Sequence, residues 1–319
     1  MSDYDIIGDI HGHADALRRL LHELGYEKGA DCWRHPQRKV VFLGDFVDRG
    51  PEIKQVLEIA RPMVESGQAL AVMGNHEFNA VAFHKVHPTP TEGFLRERSY
   101  KNIRQYAQTV AQLKDFELDE YTSWFQTLPM WLELDGLRIV HACWDPASMK
   151  IIEEHRIHYG GFTDEFFHRA CDEDEELFAA VEVVLKGKEV GLPEGVVFQD
   201  KDGHERRRVR TKWYADPGSG VGTYRDYAFS FREKEQALIP ATPVTAECVV
   251  DAKPYGPNEP PVLFGHYWMP AEIQPAPLAP NVACLDYSVG RGGSLCAYRW
   301  NGESVLEAGS FVSVPSVGI

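Results

Sequence analysis

Four times in this chain an apolar run stops at a glycine and is followed at once by a residue able to ligate a metal. The runs are "YDIIGDIHGH" (Tyr4–His13), "VVFLGDFVDRGP" (Val40–Pro51), "LAVMGNHEFN" (Leu70–Asn79) and "PVLFGHYW" (Pro261–Trp268). Short runs rich in Val, Ile, Leu and Phe between turn residues read as buried strands. Glycine at the exit gives the backbone freedom to turn and to approach a ligand closely. In open α/β sheets ligands gather at the carboxyl ends of strands, so polar residues repeated at those ends are expected to converge. This constrains the fold to an α/β class with a site at strand ends.

The rest of the chain fits that frame. Leu17, Leu20, Leu21 and Leu24 have helical spacing within Ala14–Leu24, and Glu52–Glu65 reads as a helix opened by Pro51. Asn75–His84, Glu97–Leu113 and Leu118–Phe125 also read as helices. Strands are expected at Tyr4–Gly8, Arg38–Leu43, Ala69–Met73, Val262–Gly265, Val282–Leu285, Ser294–Trp300 and Ser304–Glu307. "DG" between Met130–Leu134 and Leu137–His141 marks a hairpin. The section 151–260 differs, with an acidic helical tract, "DEDEELFAAVEVVLKGKE", and loops rich in Gly and Pro. It reads as an insertion or cap within one domain spanning 1–319, and its charge run as a solvated helix face.

Composition limits the partners. The 319 residues are 44% hydrophobic and 25% charged, enough for a sizeable core, and the net charge is −15. Such a surface repels long nucleic acids and anionic membranes, while a local positive site can still capture an anion. No apolar stretch is long enough to span a bilayer, and the N-terminus lacks the basic and apolar regions of a secretory signal. A cytoplasmic location without a membrane partner is expected. Cys32, Cys143, Cys171, Cys248, Cys284 and Cys296 are scattered without Cys-x-x-Cys pairs and read as free thiols.

The strand ends supply Asp9 and His11; Asp45, Asp48 and Arg49; Asn75, His76 and Glu77; and His266. "LRIVHACWDP" adds His141. Taken singly, an Asp after a strand is a cap or turn former, and a lone His is a hydrogen-bonded core residue. Independent caps do not require Asp-x-His, Gly-Asp-x-x-Asp-Arg-Gly, Gly-Asn-His-Glu and Gly-His in one chain. That set resembles the signature of the calcineurin-like metallophosphoesterases. It is most similar to the phosphoprotein-phosphatase branch with its bacterial relatives and the symmetrical diadenosine tetraphosphatases.

The resemblance implies a four-layer fold of mixed sheets packed face to face and flanked by helices. It implies two divalent metal ions, Mn with Fe or Zn as alternatives, bound by carboxylate, imidazole and amide oxygen. Asp9, His11 and Asp45 would hold one ion, and Asp45, Asn75, His141 and His266 the other. Two ions so placed activate a water for attack on phosphorus. His76 would protonate the leaving oxygen, Asp48 would steady His76, and Arg49 would grip the phosphate, with Asn75 also facing substrate. Glu77 is either a supporting hydrogen-bond partner or an acid in a first helical turn. Arg225, in "KWYADPGSGVGTYRDY", is the candidate for a second phosphate-clamping arginine, with Arg207 and Arg208 as competitors.

The expected activity is phosphate-ester hydrolysis. Asp48 and Glu77 lean toward a serine/threonine-protein-phosphatase-like monoesterase. "CLDYSVGRGGSLCAYRW" leans toward a symmetrical bis(5′-nucleosyl)-tetraphosphatase or another nucleotide phosphohydrolase. Phosphoproteins, small phosphate esters or dinucleoside polyphosphates are the expected partners. A non-catalytic metal-binding scaffold would be expected to lack Asp45, His76 or Arg49, and all three are present. Trp144, Trp213, Tyr214, Tyr267 and Trp268 are candidates to stack a nucleobase, or else core and wall residues.

Overall fold

The computed structural model describes residues 3–89, 91, 93–199, 205–217, 222–230, 233–245, 249–250 and 252–316. Two mixed sheets organise it. In the first, strands Phe311–Pro315, Ser294–Trp300, Asp3–Ile7, Arg38–Phe42 and Ala69–Ala71 lie in that order. In the second the order is Val282–Cys284, Val262–Phe264, Leu137–Val140 and Trp131–Leu134. One continuous core takes side chains from both, among them Ile6, Phe42 and Val41 from the first and Ile139, Leu263 and Ala283 from the second. The fold is the mixed α/β arrangement expected from the alternating strands and amphipathic helices.

Helices form where apolar residues recur at helical spacing and bury one stripe. Ala14–Glu23 buries Leu17, Leu20 and Leu21, and Ile53–Glu65 buries Val56, Leu57, Ala60 and Met63. The acidic tract becomes the helix Glu176–Lys186, with Leu177, Val181, Val184 and Leu185 inside. Phe166, Phe167 and Val184 join the main core, so the first part of 151–260 packs on the principal body. A second, small core of Val190, Val209, Tyr224, Tyr227 and Ile239 gathers the later part. Among the described residues no helix is long and apolar enough to cross a membrane. Cys32, Cys143, Cys171, Cys284 and Cys296 are free; Cys248 lies outside the described residues.

One expected strand is displaced. Ser304–Glu307 is irregular, and the edge strand is Phe311–Pro315, paired antiparallel to Ser294–Trp300. Side chains hold the earlier segment away from the ladder. Tyr298 Oη accepts the Glu307 amide and donates to Glu303, while Trp300 Nε1 donates to the Glu303 carbonyl. Polar tethers override the weak strand propensity of a four-residue run.

Candidate metal centre and active site

Strand direction brings the candidate residues to one edge. Asp3–Ile7 runs parallel to Arg38–Phe42, with Ile7 opposite Phe42, and Arg38–Phe42 runs parallel to Ala69–Ala71. Their carboxyl ends therefore face the same way, delivering Asp9, Asp45 and Asn75. In the second sheet Val262–Phe264 is parallel to both Leu137–Val140 and Val282–Cys284. Those ends deliver His141, His266 and Asp286. Asp286 is the one of the six that the sequence reading passed over, although it follows its strand as Asp9 and His266 follow theirs.

The loops are tightly built. Gly44 has φ +86°, and a Cβ there would lie 2.4 Å from the Gly74 amide nitrogen, so two strand exits are in contact. A Cβ on Gly265 would meet Asp9 Oδ1 at 2.0 Å. Among the described residues, those other than glycine with positive φ are His11, Asp45, Asp48, Arg49, His266, Trp268 and Ser288, all at or beside this edge. Such backbone is costly for residues with a Cβ and persists where surrounding structure fixes it. Glu77 supplies part of that fixing. It is fully buried, and its carboxylate accepts the amides of Asp45 (2.7 Å), Phe46 (2.8 Å) and Gly74 (3.0 Å). Burial and the Asp45 charge push its pKa up to about 7, against the pull of those amides. Of the two sequence readings of Glu77, the structure favours the supporting partner.

Asp45 lies at the centre. One carboxylate oxygen is 3.4 Å from His11 Nε2, and the other is 3.5 Å from His141 Nε2. Candidate ligand atoms form two groups sharing this residue, His11–Asp45–His76 and Asp45–His141–His266, each within 4.8 Å. Asn75 Oδ1 joins the second group, 3.0 Å from His141 Nε2 and 2.8 Å from His266 Nδ1. Asp9 joins the edge through Oδ2, which accepts the His266 amide at 3.0 Å. His11 Nδ1 donates to the Val47 carbonyl and His141 Nδ1 to that of Leu43, so each ring turns its Nε2 lone pair inward.

The donor set fits divalent cations. Asp9 Oδ1 is buried without a hydrogen-bond partner among the described residues. Burial, with the charges of Asp286 and Asp45, pushes Asp9 well above the usual carboxylate range, a strain that a bound cation would relieve. Burial pushes Asp45 up as well, but the neighbouring imidazoles, His141 and His76 first, outweigh it and hold Asp45 well down. Burial, with Arg49 for His11 and Arg210 for His266, keeps those two rings neutral, the form that ligates metal. Carboxylate, amide oxygen and imidazole together suit Mn, Fe or Zn.

Beside this cluster stands a separate acid–base pair. His76 Nδ1 is 2.5 Å from Asp48 Oδ2, and Thr109 Oγ1 donates to the other Asp48 oxygen at 2.6 Å. The Asp48 amide in turn donates to Thr109 Oγ1 at 3.1 Å. Burial works against a charged His76, but Asp45 and Asp48 outweigh it and raise its pKa. Thr109 belongs to the helix Tyr100–Gln112, whose Gln105 lies 3.4 Å from His76 Nδ1 and whose Gln112 donates to the Gly50 carbonyl. Gln105, Thr109 and Gln112 share one face by helical spacing. The sequence offered no signal for them, because polar residues on a helix read as solvated until a partner loop is placed against them.

The arginines sort differently from expectation. Arg49 donates to His11 Nε2 at 2.5 Å and lies 3.2 Å from His76 Nε2. Arg225 is not brought to this edge by any described contact; it donates to the carbonyls of Ile239 and Ala237 within the smaller core's surroundings. Its place in a four-residue helix, Tyr224–Tyr227, ties it to a neighbouring turn. Arg207 pairs with Glu205, and Arg208 donates to the Glu189 carbonyl. The arginine that reaches the cluster besides Arg49 among the described contacts is Arg210, with Nη1 3.3 Å from His266 Nε2 and Nε buried without a partner among the described residues. It sits two residues past Arg208 on the same strand, where alternation returns the side chain to the face of Arg208.

Of the aromatic candidates, Trp213 donates to the Ala142 carbonyl, and Tyr267 stacks on Phe229 with ring centroids 3.9 Å apart. Trp144 and Trp213 are buried, and Tyr214 packs on Phe229; with Tyr267 they form core and wall. Trp268 is different. The guanidinium carbons of Arg49 and Arg291 each lie 3.8 Å from its ring centroid, and Asp286 accepts its amide at 2.9 Å. Cys143 is buried, consistent with a packing role.

Comparison with known proteins adds the following. The family model described as calcineurin-like phosphoesterase matches residues 4–188. A bis(5′-nucleosyl)-tetraphosphatase PrpE (asymmetrical) of Oceanobacillus iheyensis is 28% identical over 141 residues, 43% of this chain and 54% of that protein. A protein of the same name from Halalkalibacterium halodurans is 43% identical over 74 residues, 23% of this chain and 30% of that protein. The chain thus spans about half, or less, of the length of these curated relatives. Among solved structures, a cold-active protein-tyrosine phosphatase of a psychrophilic Shewanella species is 16% identical and has a TM-score of 0.51. The match covers 99% of this chain and 81% of that one, and it speaks to the fold alone.

Proposed function

The chain belongs to the calcineurin-like phosphoesterase family, and from that premise we propose that it hydrolyses phosphate esters or anhydrides with two divalent ions at this edge. The observation that carries the reading is the shared Asp45 carboxylate, with His11 Nε2 at 3.4 Å from one oxygen and His141 Nε2 at 3.5 Å from the other. Asp9, His11 and Asp45 would hold one ion, and Asp45, Asn75, His141 and His266 the other. When bound, the pair would acidify a water and neutralise phosphoryl oxygens.

The chain's own groups do the rest. Arg49 offers a planar fork to two phosphate oxygens, and Arg210 lies beside His266 as the second cation. His76, held by Asp48 and with its pKa raised by Asp45 and Asp48 against the effect of burial, delivers a proton to the leaving oxygen. Asp48 and Glu77, the residues that favoured a protein-phosphatase-like monoesterase, have jobs here that are not specific to a monoester: one steadies His76 and the other clasps two loops. Neither selects a monoester.

A second reading of the substrate rests on the relatives, which are named for dinucleoside tetraphosphate hydrolysis of the asymmetrical kind. On that reading the substrate is a phosphoanhydride. Metal-loaded protein assayed on p-nitrophenyl phosphate, a phosphopeptide and Ap4A decides both questions. Turnover of at least one, abolished by chelation, is the expected result; no turnover of any by Mn-, Fe- or Zn-loaded protein refutes the phosphoesterase reading. With Ap4A, ATP plus AMP indicates asymmetrical cleavage, and two ADP symmetrical cleavage.

A further inference from the structure

The helix Tyr100–Gln112 has a face left over once Gln105, Thr109 and Gln112 have met the active-site loops. Lys101, Arg104 and Gln108 lie on it at spacings of three and four residues. With Tyr100, Gln105, Arg291 and Arg49 they line a cleft of about 540 Å³. Four of the lining residues are cations and none is a carboxylate, in a chain whose net charge is −15.

A charged stripe on a helix is usually a solvated face laced with ion pairs. Other helices of this chain follow that habit: Arg19 pairs with Asp15, Arg61 with Glu65, and Arg169 with Glu165, each one turn away. Tyr100–Gln112 contains no Asp or Glu at all, so its cations have no partner on their own element. A cleft lined by one sign of charge focuses its field on an incoming ion of the other.

The cleft begins at the chemistry. Arg49 lines it while lying 3.2 Å from His76 Nε2, and Arg49 and Arg291 share the Trp268 ring at 3.8 Å each. Because His76 is placed to meet the leaving oxygen, the leaving group lies toward this cleft. We infer that the cleft is a leaving-group subsite for a polyphosphate chain, with Lys101, Arg104 and Arg291 holding the phosphates beyond the one under attack. The inference rests on the phosphoesterase reading. Water gives up a proton to solvent as its oxygen forms the new P–O bond, and the bridging P–O bond breaks. The leaving phosphate departs with the electron pair, as an anion stabilised by these cations. An alkoxide leaving from a serine would need the His76 proton and gain little from three distant charges, so the arrangement favours an anhydride over a phosphopeptide.

The test is the double variant Lys101→Ala/Arg104→Ala, two exposed positions, with Lys101→Glu/Arg104→Glu as a stronger form. Metal-loaded proteins are assayed on inorganic tripolyphosphate, Ap4A, p-nitrophenyl phosphate and an acidic phosphopeptide. The ratio of kcat/KM on the two polyphosphates to that on p-nitrophenyl phosphate should fall at least about 10-fold, mostly through KM and most steeply at low salt. An unchanged ratio overturns the inference, and so does an equal fall for the phosphopeptide, which would make the cleft a reader of acidic peptides. Tripolyphosphate binding is measured separately by calorimetry, where the variant should bind at least about 10-fold more weakly. If wild-type protein hydrolyses nothing, the phosphoesterase reading fails, and this binding difference still decides whether the cleft holds polyphosphate.

Discussion

Thr109→Val tests whether the helix Tyr100–Gln112 positions the acid–base pair. The substitution keeps shape and removes one hydroxyl. In the structure that hydroxyl donates to Asp48 Oδ1 at 2.6 Å and accepts the Asp48 amide at 3.1 Å, with both residues buried. A hydrogen bond to a charged group contributes about 1.5–3 kcal/mol, and a buried amide left unpaired costs about 1–3 kcal/mol. The two losses overlap, so the expected destabilisation is about 2–4 kcal/mol, read as a lower urea midpoint at unchanged m-value. If about half of it, 1–2 kcal/mol, appears as misalignment of Asp48 against His76, kcat falls about 5- to 30-fold. Thr109→Ser keeps the hydroxyl and should restore most of both. In a double-mutant cycle with Asp48→Asn, the two positions should couple by about 1 kcal/mol or more. A Thr109→Val protein within about 0.5 kcal/mol of wild type, with unchanged kcat, would refute the positioning argument.

Asp45→Asn is expected to lower bound metal, measured by elemental analysis, and activity by more than the roughly 10- to 100-fold that loss of a mere supporting hydrogen bond causes; full metal content with full activity would remove Asp45 from the centre. His76→Asn should keep metal and slow turnover most for poor leaving groups, and an equal loss across a leaving-group series would argue against a general acid. The His76 pKa is raised, with Asp45 and Asp48 prevailing over burial, and the acid must be protonated to act. Activity should therefore decline as pH rises through that pKa. Asp48→Asn removes one of the raising charges, so the high-pH limb of kcat/KM should move to lower pH; a limb that stays in place would point to another acid. Away from the site, Arg38→Met strips a buried guanidinium from Asp5, which it meets at 2.9 Å. Arg299 remains 3.2 Å from the other Asp5 oxygen, so the loss should sit near the lower end of the roughly 3–5 kcal/mol typical of a broken buried pair, and chemical denaturation measures it.

Much of this molecule is written locally. Strands ending in Gly8-Asp9, Gly44-Asp45, Gly74-Asn75 and Gly265-His266 could be read from apolar runs and turn residues, because burial on both faces demands continuous hydrophobic sequence. The candidate residues followed, since each sits within a few residues of a strand end, as do Asp48, Arg49 and His76 in the same loops; their division into metal ligands, acid and phosphate grip is what the family resemblance implies. Helix ends were legible to within a few residues wherever an apolar stripe existed, as in Ala14–Glu23 and Ile53–Glu65.

What the sequence left undecided depended on partners far along the chain. Thr109, Gln105 and Gln112 look solvated until the loop at Asp48 is packed against them, 61 residues away for Thr109. The motif pointed to Arg225, with Arg207 and Arg208 as competitors, and only strand pairing between Arg208–Arg210 and Glu189–Gly191 brings Arg210, which it did not single out, to His266. The edge strand moved from Ser304–Glu307 to Phe311–Pro315 because Tyr298 and Trp300 tether the intervening backbone. Asp286 was hidden as an ordinary acid until parallel pairing lined it up with His141 and His266. The sequence alone determined which residues meet at strand ends, because period and turn chemistry act over a few residues. The tertiary structure decided which arginine, which helix face and which cleft lie beside them, because charge and hydrogen-bond partners act through space.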